Sequence, residues 1–123
     1  MKHEWNETGY DLIRTERWLY VFGGPNDSTV KVGLVLLEER LEPRLREVAK
    51  KHGRPDLEQR AAAPLKEVTH EEAEHIESAV RWWLTRNREC EFVGVVDWLR
   101  GPSIDCDWQT MLEDAVAAVT AIK

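Results

Sequence analysis

Arg17-Trp18-Leu19-Tyr20-Val21-Phe22-Gly23, then Gly24-Pro25-Asn26-Asp27, then Ser28-Thr29-Val30-Lys31-Val32-Gly33-Leu34-Val35-Leu36 is the stretch whose reading decides the fold. The two flanks are rich in β-branched and aromatic residues, and the middle is a cluster of turn formers, so the pattern predicts a β-hairpin. A four-residue loop, 24–27, sets Tyr20 opposite Lys31, Phe22 opposite Thr29 and Trp18 opposite Gly33. Strand side chains alternate between faces. Leu19, Val21, Val30, Val32 and Leu34 then form an aliphatic core face. The other face carries Trp18, Tyr20, Phe22, Thr29 and Lys31. It reads either as a reaction surface or as a second packed face with a snorkelling lysine, and pattern alone favours the packed face.

Working outward, Leu41, Leu45, Val48 and Ala49 give a helical stripe over about 40–52. Pro43 is tolerated only in its first turn, and Gly53 is its stop signal. Residues 54–68 stay open between a short helix at 55–63 and a short strand at 65–68. Thr69-His70-Glu71-Glu72 is a capping box for a helix running to about Asn87. Its stripe is Ala73, Ile76, Val80, Trp83 and Leu84. Glu77 falls about 40° from Ala73, at the edge of the buried side, so it is the carboxylate expected to be partly buried. Its removal is expected to leave the fold intact, and an i,i+4 pair with Arg81 is its structural competitor for a role. Residues 90–98 read as a further strand. Asp105 or Asp107 caps a last helix over about 107–122. The fold class is α+β, a small antiparallel sheet with a hairpin start and flanking helices.

The chain has 123 residues, the size of one domain spanning 1–123, with 33% charged and 42% hydrophobic residues. No apolar run approaches the roughly 20 residues that span a bilayer, so no membrane contact is expected. The start lacks a secretory apolar stretch, and two cysteines without CxxC spacing suggest a reducing, cytoplasmic compartment. Net charge is −6, which disfavours a non-specific nucleic-acid binder. It is nevertheless segregated. Residues 40–66 carry 8 basic and 4 acidic side chains, whereas 67–123 carry 5 and 12. Arg44, Arg46, Lys50, Lys51 and Arg54 lie in that basic segment, which reads as a solvated helix face or a local phosphate contact. Six tryptophans are read as core or interface filling. His70 and His75 are five apart, about 140° around a helix, so they cannot share a zinc ion. No GxSxG, P-loop or dinucleotide fingerprint is present.

Tyr20, Lys31, an arginine opening the next helix and Glu77 follow one another in an order that resembles the GIY-YIG nuclease superfamily. In particular it resembles the phage-associated branch in which the second motif reads Lys-Ile-Gly. The matching pieces are Leu19-Tyr20-Val21, Lys31-Val32-Gly33, Arg40 or Arg44, Glu72-Ala73 with Ile76-Glu77, and Glu91-Phe92. They cover about 17–98, leaving the helix at 107–122 outside. Trp18 stands where the family has its first glycine. Arg40 and Arg44 lie seven and eleven residues after Gly33, where the family arginine usually lies eight after.

The resemblance implies a DNA endonuclease hydrolysing phosphodiester bonds with one Mg²⁺ or another divalent cation. Tyr20 would be general base or would orient the attacking water, with Lys31 helping. Arg40 or Arg44 would stabilise charge on the phosphate, and Glu77 would hold the metal. Arg46, Lys50, Lys51 and Arg54 would line the DNA backbone. The alternative is a degenerate, non-catalytic module on the same fold that binds nucleic acid or protein. A protein partner or a homodimer stays open.

Overall fold

The computed structural model describes residues 13–121, the side chains of residues 95 and 96 excepted. Trp5 and Ile122 lie outside that range. The order is β1 (Thr15–Gly23), β2 (Thr29–Val35), a 3-10 turn (Glu38–Arg40), α1 (Leu41–Lys51), β3 (Glu58–Val68), α2 (His70–Asn87), β4 (Glu91–Val93), β5 (Val95–Arg100) and α3 (Trp108–Thr120). The five strands form one antiparallel sheet in the order β3-β1-β2-β5-β4.

The hairpin forms in a register two residues away from the predicted one. Tyr20 pairs with Gly33, Phe22 with Lys31 and Trp18 with Val35. The last β1–β2 pair is Gly23 with Val30, so the connection is six residues long. A change of two preserves face parity, and Tyr20 and Lys31 do share a face. Arg54 ties the loop down, its guanidinium bridging Asp56 at 2.9 Å and Asp27 at 3.1 Å. Arg54, read from sequence as a DNA-backbone contact, is thus already paired with two carboxylates.

Both faces of the sheet are packed. Leu19, Val21, Val30 and Val32 lie beneath α2 and α3 together with Ala73, Val80, Leu84, Leu112 and Ala115. Tyr20, Phe22, Val35 and Trp98 lie with Leu41 and Val48 of α1. The aromatic face is thus a second core, as pattern alone favoured.

Residues 55–63 do not form a helix. β3 is one continuous strand from residue 58, pairing with β1 through Leu19–Ala63 and Val21–Ala61. Alanines are good helix formers, but here their small side chains fit the buried face under the helices, and tertiary pairing overrides propensity. Residues 90–98 also divide. Gly94, at φ +66°, turns β4 back onto β5, a left-handed conformation that glycine adopts without strain.

The helix ends follow the sequence. Thr69 accepts from the Glu72 amide at 3.1 Å, and the Glu72 carboxylate accepts from the Thr69 amide at 2.9 Å. Asp107, not Asp105, caps α3. Gly53, at φ +62°, terminates α1.

β3 is an edge strand, yet at Ala62 its outer backbone groups are engaged. The Gln109 carboxamide of α3 donates to the Ala62 carbonyl at 2.9 Å and accepts from its amide at 3.0 Å. Pro64, two residues on, has no N–H to leave unpaired on that side.

Cys90 and Cys106 are both free thiols. Burial pushes the Cys90 thiol up to about 12. A disulfide reagent in excess at pH 8 is therefore expected to titrate one thiol per native chain, Cys106, and the second only after denaturation. Two rapid equivalents in the native state would contradict this.

Candidate active site at the free edge of β2

The β2–β5 ladder covers only Thr29–Lys31. Beyond Lys31 the two strands part, and β2 presents carbonyls to a notch instead of to a partner strand. Two arginines fill that role from opposite faces. Arg81 of α2 donates to the Val32 carbonyl at 3.4 Å, and Arg44 of α1 donates to the Leu34 carbonyl at 3.4 Å. The notch is therefore lined by charge because the backbone there needs donors.

Tyr20 reaches this notch across Gly33. A Cβ at Gly33 would stand 2.2 Å from both the Tyr20 hydroxyl oxygen and the ring carbon that bears it. The glycine is the gap through which the ring crosses β2. Phe22 stacks on the ring at 3.9 Å, 16° from parallel, and Tyr20 is 1% exposed. Tyr20 lines a concavity of about 250 Å³ together with Lys31, Arg44, Glu47, Lys51 and His52. The Arg44 guanidinium stands beside the hydroxyl, and its Nε bonds Glu47 at 3.1 Å.

Glu77 belongs to α2, on the aliphatic face, so it does not share a face with Tyr20. The Arg81 Nη1 that bonds it also donates to the Val32 carbonyl, which brings the carboxylate to the β2 edge, and its charge is felt by Tyr20 as that of Lys31 is felt by Glu77. Its Oε2 accepts from Arg81 at 3.0 Å, with side chains 17% and 11% exposed. The structural competitor is thus real, and it ties the stability of Arg81 to Glu77. Lys31 is ion-paired with Asp97 of β5.

Ionisation follows from these contacts. Burial pushes the Tyr20 hydroxyl above its ordinary value, and Arg44 offsets only part of this. Burial likewise pushes Glu77 up, against the pull of Arg81 and Lys31. Burial would raise Asp97 too, but Lys31 outweighs it and holds that carboxyl below its usual range. Tyr20 is therefore a neutral phenol at pH 7, able to donate and accept but not poised as a free phenolate.

Of the two arginines left open by sequence, Arg44 joins Tyr20 and Lys31, whereas Arg40 lines a neighbouring concavity that also includes Arg44. Arg46 is exposed and pairs with Glu42 at 3.4 Å on the outer face of α1. Lys50 is exposed on the same helix. Lys51 is exposed and lines the Tyr20 concavity.

Asp97 and His52 were not singled out from sequence. Asp97 had a signal, a carboxylate inside the apolar run Phe92–Leu99, whereas His52 reads as an ordinary C-terminal dipole partner.

Among the described residues, no three His, Cys, Asp or Glu side chains cluster tightly enough to hold a metal ion by themselves. None of their helices is long and apolar enough to cross a membrane. No family model, curated protein or solved structure matches this chain.

Proposed function

We propose that this chain is a metal-dependent DNA endonuclease that hydrolyses phosphodiester bonds at the β2 notch, in the manner the GIY-YIG resemblance implies. One observation carries the reading. Tyr20, Lys31 and Arg44, drawn from three elements within 25 residues of sequence, line one concavity, and Glu77, outside that lining, acts electrostatically on Tyr20.

A phosphate seated there meets Arg44 and Lys31, whose charges oppose the negative charge that develops on its oxygens. Tyr20, held neutral by burial, orients the attacking water through its hydroxyl, while the proton that this water loses goes to solvent and the leaving oxygen takes one back from solvent. Glu77 suits a divalent cation because its carboxylate is poorly solvated and already draws cations towards it. A single carboxylate completed by water and phosphate oxygens is an ordinary Mg²⁺ arrangement. Bound there, the cation would lower the pKa of its water and neutralise the phosphate. Lys31 holds its position through Asp97.

Supercoiled plasmid incubated with the protein is expected to be nicked in Mg²⁺ and spared in EDTA. Arg44→Ala is expected to slow nicking by about 10²-fold or more. Arg44 is partly exposed, so the variant should stay folded. Plasmid left intact by pure, folded protein in Mg²⁺ and in Mn²⁺ rejects the reading.

The Glu77–Arg81 pair favours a second reading, a module that binds nucleic acid without cleaving it. In that case Glu77 serves Arg81, and the plasmid shifts in a gel without being nicked.

A further inference from the structure

The Tyr20 concavity has a neighbour. A second concavity of about 340 Å³ lies at the end of β2 and shares Arg44 with the first. We infer that this second lobe seats the nucleotide flanking the reacting phosphate, so that a single nucleic-acid strand passes over Arg44 from one lobe to the other. The inference rests on the reading of the chain as acting on DNA.

The lining supplies the two things a nucleotide unit requires. Every titratable side chain in it is basic, and while Arg17 is buried and donates to the Val68 and Ile13 carbonyls, Arg40, Arg44 and His70 remain partly exposed. That is notable in a chain of net charge −6, and it suits a phosphate. The remaining wall is apolar, Leu34 to Leu37, and Leu37 stands 41% exposed at the rim. Such a wall offers a base or sugar a surface without a hydrogen-bond code, so no base preference is expected. The volume lies within the usual range for small-ligand clefts, about 300–1,000 Å³.

The lobe is also placed by the fold. β2 ends there, the chain turns through Glu38–Arg40 into α1, and α2 starts at His70 on the other side. Arg40 and His70 thus arrive from different elements, and each is paired with a glutamate, Glu47 at 4.0 Å and Glu74 at 3.1 Å. These exposed pairs exchange readily for a phosphate, because surface ion pairs are weak.

Binding of a fluorescein-labelled ten-nucleotide thymidine strand, followed by anisotropy in EDTA, tests this. Leu37→Glu sets a carboxylate against the proposed phosphate and is expected to weaken binding by about tenfold or more. Ile104→Glu makes the same charge change at a similarly exposed residue in the β5–α3 loop, 47% exposed, and is expected to leave binding within about twofold, since the two residues lie in different parts of the surface. Arg40→Ala is expected to lower the slope of log K against log salt by about 0.7. Circular dichroism melts confirm folding of each variant. Equal losses for the two glutamate variants, no loss for either, or a wild-type chain that does not bind the strand overturns the inference. The assay holds no metal, so the two ideas can fail separately. A chain that shows the Leu37 effect but never nicks plasmid retains this lobe and loses hydrolysis. A chain that nicks plasmid while Leu37→Glu binds normally loses the lobe and retains hydrolysis.

Discussion

Gly33→Ala is expected to cost about 3 kcal/mol of stability, the upper part of the range for overpacking a core, and to lower Tm by about 10 °C at this chain length. The methyl group would stand 2.2 Å from Tyr20 atoms, far inside contact distance. The ring cannot retreat, because Phe22 stacks on it and it is 1% exposed. Alanine should otherwise favour a strand over glycine by about 0.5–1 kcal/mol, so a net loss isolates the clash. The contact is checked by Tyr20→Leu, which shortens the side chain. In that background Gly33→Ala should cost much less, a coupling of about 1 kcal/mol or more. Strict additivity of the two substitutions in thermal melts would place the cause elsewhere.

Glu77→Ala is expected to destabilise the fold by about 3 kcal/mol, contrary to the expectation from its place at the stripe's edge. The cost arises at Arg81, which would keep a guanidinium inside the protein with its main partner gone, and breaking such a pair from one side costs about 3–5 kcal/mol. Asp97 still attracts Arg81 electrostatically, which places the loss at the low end. Its Nε, buried and without a hydrogen-bond partner among the described residues, shows that the guanidinium is already incompletely satisfied. Replacing both residues by leucine should recover most of the loss, since apolar pairs often equal buried ion pairs. About 1 kcal/mol should stay lost with the Val32 carbonyl bond.

The pH dependence has a definite sign. Burial raises Glu77 in the folded state, so its contribution to stability is present below its unfolded value and is lost as pH rises through the folded one. Asp97 is lowered and works in the opposite direction, so the wild-type curve alone is ambiguous. The difference between wild type and Glu77→Gln removes Asp97. From acid towards pH 7 that difference should move in favour of the glutamine variant. A difference that does not change with pH, or moves the other way, contradicts the burial argument. For the same reason Glu77→Gln, not Glu77→Ala, is the variant with which to test a metal role.

What the sequence reveals here divides along physical lines. Face parity in the hairpin is legible because alternation is local, whereas register depends on where the loop closes, and Arg54 closes it from 27 residues beyond Asp27. The capping box of α2 and the glycine ending α1 are legible because caps are local chemistry. Residues 58–63 are not, because alanines carry little periodic signal and β1 decides their state. At the site, Tyr20 with Lys31 could be read from alternation. Arg44 rather than Arg40 could not, since the choice depends on α1 starting at Leu41, after a 3-10 turn. The Glu77–Arg81 pair follows from i,i+4 spacing. The approach of Glu77 around the β2 edge does not, because it requires β5 to leave β2 after Lys31, and no local residue announces that.

The Gln109 carboxamide has a consequence for assembly. A sheet edge with free amides and carbonyls invites another chain to continue it. At Ala62 both groups are already bonded to one side chain, and at Pro64 there is no amide to offer. A second copy joining by strand addition along β3 would first have to displace an α3 residue and then accept a gap in the ladder. At the far side β4 is only three residues long, too short to template a stable partner strand. Among the described residues the margins of the five-stranded sheet are thus closed by their own chemistry, and self-association of this chain through those described edges is disfavoured before any other surface is considered.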